Sequence, residues 1–212
     1  MKNTLIGESS LLLSAQRGDL EAFNQLVLMY QGFLFRTALG ILGDDDAAAD
    51  ATQDALISAF RNLGSFRGTS LRGWLARITI NTCYDRLRRE RRHPSIPLEP
   101  VDAAERELDS ASWLADPADL PQRQVERREL ERAIQQGLQR LDPKFRAVAV
   151  LVDLQGLSYE EAAEMLNVPV GTVKSRLARA RLALRKYLER IPGLLPWDVA
   201  PGAARVRIEE LV

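Results

Sequence analysis

Apolar residues recur at helical spacing through two long stretches of the chain, and no stretch shows the alternating, β-branched pattern of a half-buried strand. The pattern predicts an all-α protein. In the first stretch Phe23, Leu26, Val27, Tyr30, Leu34 and Ala38 fall on one stripe, and Asp19 is placed to cap that helix. The run "GDDD" at 43–46 ends one helix and starts another, with carboxylates near the new N-terminus where the macrodipole favours them. A third long helix is predicted from near Ser70 to about Arg92, after the loop "GSFRGT". In the second stretch Val125, Leu130, Ile134, Leu138 and Leu141 pattern one helix, which "DP" at 142–143 stops. Another runs from 144 to about 155 and ends at Gly156. Ser158 with Glu161 three positions later forms a capping box for a helix of two turns, a tight turn spans Asn167 to Pro169, and a longer helix follows.

Between these stretches lies "IPLEPVDAAERELDSASWLADPADLPQ", which has four prolines and no sustained helical period. It reads as a linker, so the expected organisation is a helical domain at 1–95, a flexible acidic linker at 96–124, a second helical domain at 125–190 and a tail at 191–212. Trp113 and Leu114 are the linker's bulky apolar pair, able to dock on a domain. Lys plus Arg and Asp plus Glu both total 29, so any attraction to a polyanion must be local. Counted by segment, 1–95 hold 12 basic and 10 acidic residues, 96–124 hold 2 and 7, and 125–190 hold 13 and 9. Two mildly basic blocks thus flank an acidic spacer.

The longest apolar runs are a few residues, against the roughly 20 needed to span a bilayer, and the N-terminus has no signal-peptide pattern. A cytoplasmic protein without membrane insertion is expected. One cysteine, Cys83, and one histidine, His93, make neither a disulfide nor a Cys/His zinc site, and no cofactor is implied. Cys83 falls in an apolar helical stretch and reads as a buried, inert thiol; His93 follows "RRERR" as a cation at a helix C-terminus.

The stretch "VPVGTVKSRLARARLALRK", 168–186, carries six Lys or Arg and no acid. At about 100° per residue, Leu177, Ala180 and Leu184 fall within roughly 40° of Val173 and form an inward stripe. Ser175, Ala178, Arg179 and Leu182 point the opposite way, flanked by Lys174, Arg185 and Lys186, with Arg176 and Arg181 towards the sides. Short helix, tight turn and longer basic helix is the layout of a helix-turn-helix DNA reader, whose second helix enters the major groove by its N-terminal part. A solvated face would mix acids with bases, and here no acid appears until Glu189.

The segment "LSYEEAAEMLNVPVGTVKSRLARAR" closely resembles the DNA-reading C-terminal region of extracytoplasmic-function sigma factors, the small two-domain initiation subunits of bacterial RNA polymerase. "ADATQDALISAFRNLGSFRGTSLRGWLARITINTCYDRLRR" is similar to that family's core-binding and -10-reading region. The resemblance covers about Leu11 to Leu188. It implies a non-enzymatic subunit that binds core polymerase at the β′ clamp coiled coil and the β flap, reads promoter DNA, and is held by an anti-sigma factor. Residue by residue, it puts Thr172, Lys174, Ser175, Arg176, Ala178, Arg179 and Arg181 against the -35 element. It puts Phe66, Arg67, Ser70, Arg77, Asn81, Tyr84 and Arg88 at the -10 element, and Asp50, Gln53, Asp54, Ile57 and Arg61 against the clamp. Where family members have a further acid before Asp50, this chain has Ala49.

Several of these features also have plain structural readings. The Asp50 face could be a solvated surface, and Trp74, spaced with Leu71 and Ile78, fits core packing better than a wedge between bases. A free-standing helix-turn-helix regulator would need a ligand or phospho-acceptor domain in 1–95, and no strand pattern there supplies one. A nucleic-acid-processing enzyme would need clustered acids or a nucleophile with its base; Asp44, Asp45 and Asp46 cluster only where helix capping explains them.

Overall fold

Helix-stabilising caps recur at the element boundaries of the computed structural model, which describes residues 2–68, 70–92 and 121–191, and side chains for 7–68, 70–92 and 128–191. The elements are α1 (Lys2–Gln16), α2 (Leu20–Leu42), α3 (Asp45–Asn62), α4 (Leu71–Arg92), α5 (Pro121–Gln139), α6 (Pro143–Ala149), α7 (Tyr159–Leu166) and α8 (Val170–Leu188). A 3-10 turn, Leu63–Ser65, follows α3, and a π turn, Val150–Leu154, continues α6. Among the described residues there is no strand, as the periodicity predicts. His93, Trp113 with Leu114, and the tail beyond 191 lie outside them.

Each predicted cap has a physical partner. The Asp19 carboxylate accepts from the Ala22 amide at 3.1 Å, and Asp44 accepts from Ala47 at 2.9 Å, so both satisfy amides that a helix start leaves without intrahelical partners. The Ser158 hydroxyl accepts from the Glu161 amide at 3.2 Å while the Glu161 carboxylate accepts from the Ser158 amide at 2.9 Å, closing the capping box. Asn167, at φ 53, makes the left-handed turn between α7 and α8. Helix α1 is not announced by the pattern.

In the first block α2 is the central helix, packed by α1, α3 and α4. Its stripe Phe23, Leu26, Leu34 and Ala38 is buried, with Val27 and Tyr30 half-buried. By length and composition α2 could cross a membrane, contrary to the reading of short apolar runs; here Asn24, Gln25, Gln31 and Arg36 interrupt it and its apolar stripe is a core face. Small residues let α3 approach closely: Ala47, Ala48, Ala51, Ala55 and Ala59 all face inward. Periodicity puts Thr52, Leu56, Ala59, Phe60 and Leu63 on the side of α3 opposite Asp50 and Asp54, but Phe60 is 40% exposed and leans on Phe23 with ring centroids 4.9 Å apart.

In the second block α8 buries Val173, Leu177, Ala180 and Leu184 against α5, α6 and α7. The two blocks also touch. Helix α2 meets α5, α6 and the π turn, α4 meets α7, and buried residues of both blocks belong to one continuous apolar cluster.

Candidate nucleic-acid interface

The last helix sets the geometry of the site. With its four apolar side chains turned inward, α8 presents Lys174, Ser175, Ala178 and Arg179 to solvent, with Thr172 and Arg176 half-buried at the sides. The Ser175 hydroxyl donates to the Thr172 carbonyl at 3.1 Å. Lys174 stands over the Tyr159 ring at 5.7 Å and Arg179 over Phe145 at 6.0 Å, contacts that steer two cations without neutralising them.

Arg181 is arranged differently. Its guanidinium grips Asp153 of the π turn in a two-pronged pair, one prong 3.2 Å, and the Asp153 side chain is only 5% exposed. Here a residue that helical angle puts towards the side of α8, and that the resemblance puts against the -35 element, holds a nearly buried carboxylate. The signal in the sequence was one acid 28 positions away, which helical periodicity does not reach.

On α4 the stripe Arg77, Asn81, Tyr84 and Arg88 lies along one side, with Asn81 and Arg88 exposed and Arg77 and Tyr84 half-buried. Arg88 pairs with Asp85. The Tyr84 hydroxyl donates to the Pro143 carbonyl of the other block at 3.4 Å, and burial pushes its pKa up to about 12, opposed by the nearby Arg176 charge. The loop before α4 serves the fold as well. Phe66 is buried against Trp74 with ring centroids 5.2 Å apart, which bears out the packing role read for Trp74. The Ser70 hydroxyl accepts from the Gly73 amide at 3.0 Å, and Arg67 turns back to the Gly64 and Phe66 carbonyls. Gln16 of α1 holds the same loop through the Leu63 and Phe66 carbonyls at 3.2 and 3.1 Å. Gln16 went unnoticed in the sequence, where nothing distinguishes it from a surface amide.

Asp50, Gln53, Asp54, Ile57 and Arg61 are all exposed along α3. Asp50 accepts from Arg86 of α4 at 3.2 Å, and Arg86 also reaches Glu90. Beside this face runs a groove between α2 and α3 with Val27, Phe35, Leu56 and Phe60 along it and Gln53, Ile57 and Arg61 at its rim. The polar face is therefore the margin of an apolar groove, which the sequence reading did not include. Among the described residues no group of three or more His, Cys, Asp or Glu could hold a metal ion.

Known proteins share both halves of this arrangement. Residues 26–93 match the model of sigma-70 region 2, and residues 131–184 match that of sigma-70 region 4. The chain is 38% identical over 183 residues to the RNA polymerase sigma-H factor of Pseudomonas aeruginosa, covering 86% of this chain and 94% of that one. It is 40% identical over 183 residues to the ECF RNA polymerase sigma factor SigM of Mycobacterium tuberculosis, covering 85% of this chain and 84% of the relative. Among solved structures, CnrH in complex with the cytosolic domain of CnrY is 26% identical with a TM-score of 0.61, covering 86% of this chain and 97% of that chain. Sigma factor RpoE in complex with the anti-sigma factor NepR, from Bartonella quintana, is 26% identical with a TM-score of 0.56, covering 79% and 97%.

Such agreement over both regions defines a promoter-directing subunit of RNA polymerase rather than a free-standing regulator. The chain belongs to the extracytoplasmic-function sigma factors of the sigma-70 family.

Proposed function

We propose that this sigma factor divides its work among three faces, and that the outward face of α8 carries the reading of the -35 element. The supporting observation is that α8 buries its four apolar residues and offers Lys174, Ser175, Ala178 and Arg179, with no acid, at the end that a recognition helix places in the major groove. Arg176 lies at the flank, suited to a phosphate. On α4, Asn81, with Arg77, Arg88 and Tyr84 beside it, captures a -10 base once the duplex opens. Phe66 and Ser70 position that stripe from within the fold, and Arg67 remains at its exposed edge. The cluster from Arg86 to Arg92 adds a salt-sensitive contact to the promoter backbone.

The α3 face and its apolar groove dock on core polymerase at the β′ clamp, and the second block contacts the β flap. Catalysis stays with the polymerase, and the protein acts in the cytoplasm. CnrH and the Bartonella RpoE are each complexed with a partner, in the second case an anti-sigma factor by name, which supports an anti-sigma factor for this chain as well. The direct test is transcription from a promoter selected with this protein: product is expected with core polymerase plus the chain and absent with core alone. No product from any selected promoter would sink the reading.

Two smaller predictions follow from single sites. Reversing Asp50 and Asp54 to Lys is expected to weaken core affinity about tenfold, or ~1.4 kcal/mol. The fold should survive, because an exposed pair such as Asp50–Arg86 contributes only about 0–1 kcal/mol. Titration of labelled core, with circular dichroism as the control, measures this; unchanged affinity would leave the face merely solvated. Ser158→Ala should destabilise the helix-turn-helix by about 1 kcal/mol in a thermal melt. The Ser158 backbone N–H holds the Glu161 carboxyl below its ordinary range, so that hydrogen bond stabilises above the unfolded pKa and is lost as pH falls through the folded one.

A further inference from the structure

Three donors share two carbonyls at the turn that follows α3. The Leu63 carbonyl accepts from the Phe66 amide at 3.0 Å and from the Gln16 side-chain amide at 3.2 Å. The Phe66 carbonyl accepts from the same Gln16 nitrogen at 3.1 Å and from the Arg67 guanidinium at 2.9 Å. A carbonyl oxygen has two lone pairs, so both acceptors are filled, and Gln16 sets its two N–H bonds across a single turn. Arg67 also donates to the Gly64 carbonyl at 2.7 Å.

Apolar packing sets where this turn sits but not which way its carbonyls point. Leu63 and Phe66 are buried, Phe66 lies against Trp74, and a Cβ on Gly68 would come within 2.9 Å of the Phe66 ring, so glycine lets the chain pass close to it. The carbonyls are held by two side chains that differ in freedom. Gln16 is half-buried at the end of α1, which packs on α2 and on the turn itself, whereas Arg67 is exposed and belongs to the loop. When Arg67 lets go, the exposed Gly64 carbonyl meets water and the Phe66 carbonyl keeps Gln16. Neither becomes a buried acceptor without a partner, the state that makes the loss of a hydrogen bond costly.

Arg67 was assigned above to the -10 element, the reading on which this inference rests. A guanidinium folded back on two carbonyls of its own loop is not available to DNA. We propose that Gln16 is a positioning residue of the -10 site: by holding the Leu63 and Phe66 carbonyls from α1, it lets Arg67 swing out to a promoter phosphate while the turn keeps its shape. Without Gln16 the Phe66 carbonyl depends on Arg67, and the cation serves the loop instead of the promoter.

Gln16→Met tests this, because methionine is unbranched and of similar length but has no N–H to donate. The full chain with core polymerase is titrated on a selected promoter at several salt concentrations. Arg67→Ala should make the salt dependence of promoter binding shallower by about 0.7 to 0.9, one phosphate's counterions. Gln16→Met changes no charge, yet it should flatten the slope by a similar amount, and the double variant should flatten it no further. In open complex, Arg67→Ala should cost about tenfold in the native background and at most about twofold beside Gln16→Met. Gln16→Ala, which any helix accepts, is the second variant and should behave as Gln16→Met does, with thermal melts as the control for folding. An unchanged slope in both Gln16 variants while Arg67→Ala lowers it, or losses from Gln16→Met and Arg67→Ala that add in full, would overturn the positioning role and leave the -10 reading standing. If Arg67→Ala and Asn81→Ala both leave slope and opening unchanged, the -10 reading itself fails and the role of Gln16 goes with it.

Discussion

Asn81→Ala is expected to remove promoter opening while leaving core binding as it is. Asn81 is exposed on α4, so its truncation disturbs none of the buried contacts of Leu71, Leu75, Ala76 and Ile80. What is lost is an amide able to donate and accept at one base edge, a contact of about 1–3 kcal/mol, or roughly 5- to 150-fold in the population of open complex. Permanganate reactivity of unpaired thymines, measured beside a core-binding titration, separates the two steps. Opening at the unmodified level would take Asn81 out of the site.

Arg179→Ala is expected to act on specificity. Its side chain leaves the exposed middle of α8, and a two-pronged contact to guanine there is worth about 1–3 kcal/mol, so preference at one -35 position should relax. Arg176→Ala should weaken binding to all sequences alike and reduce the salt slope by about 0.9, the release of one phosphate's counterions. Arg181→Ala should do neither cleanly. Removing it strips the partner from the nearly buried Asp153, so its main effect should be a lower melting temperature and its change in salt slope less than one phosphate's worth. Selection over randomised -35 sequences at two salt concentrations, together with thermal melts, distinguishes the three. A uniform loss from Arg179→Ala with a changed base preference from Arg181→Ala would mean that the helix docks with another rotation.

The comparison of these three arginines also shows what a sequence can reveal. Helical periodicity is a local property, and the local features were legible: the inward stripe of α8, the capping box at Ser158, the caps Asp19 and Asp44, and the solvent face of α3. Phe60 fell on the wrong side because one residue, 100° from its neighbours, sits at the edge of a stripe whose width depends on how closely α2 approaches. Features made by residues far apart in the chain were not legible. Asp153 reaching Arg181, Phe66 turning in to Trp74, and Gln16 tying the loop before α4 all depend on helix packing that periodicity does not encode. Gly40 is the instructive case. A glycine inside a helix costs about 1 kcal/mol relative to alanine, and its reason is a methyl group from a residue 110 positions later.

Cys83 is fully buried on α4, and burial pushes its thiol up to about 12, so at neutral pH it is neither ionised nor reachable. Peroxide, disulfide reagents and soft metals act on thiolates, and these 212 residues contain no second cysteine. An oxidative stimulus that acts on thiols would therefore have to be sensed by another protein and passed on by binding. For the experimenter the same burial means that a cysteine introduced on any exposed face can be labelled at that face alone, without first removing the native one.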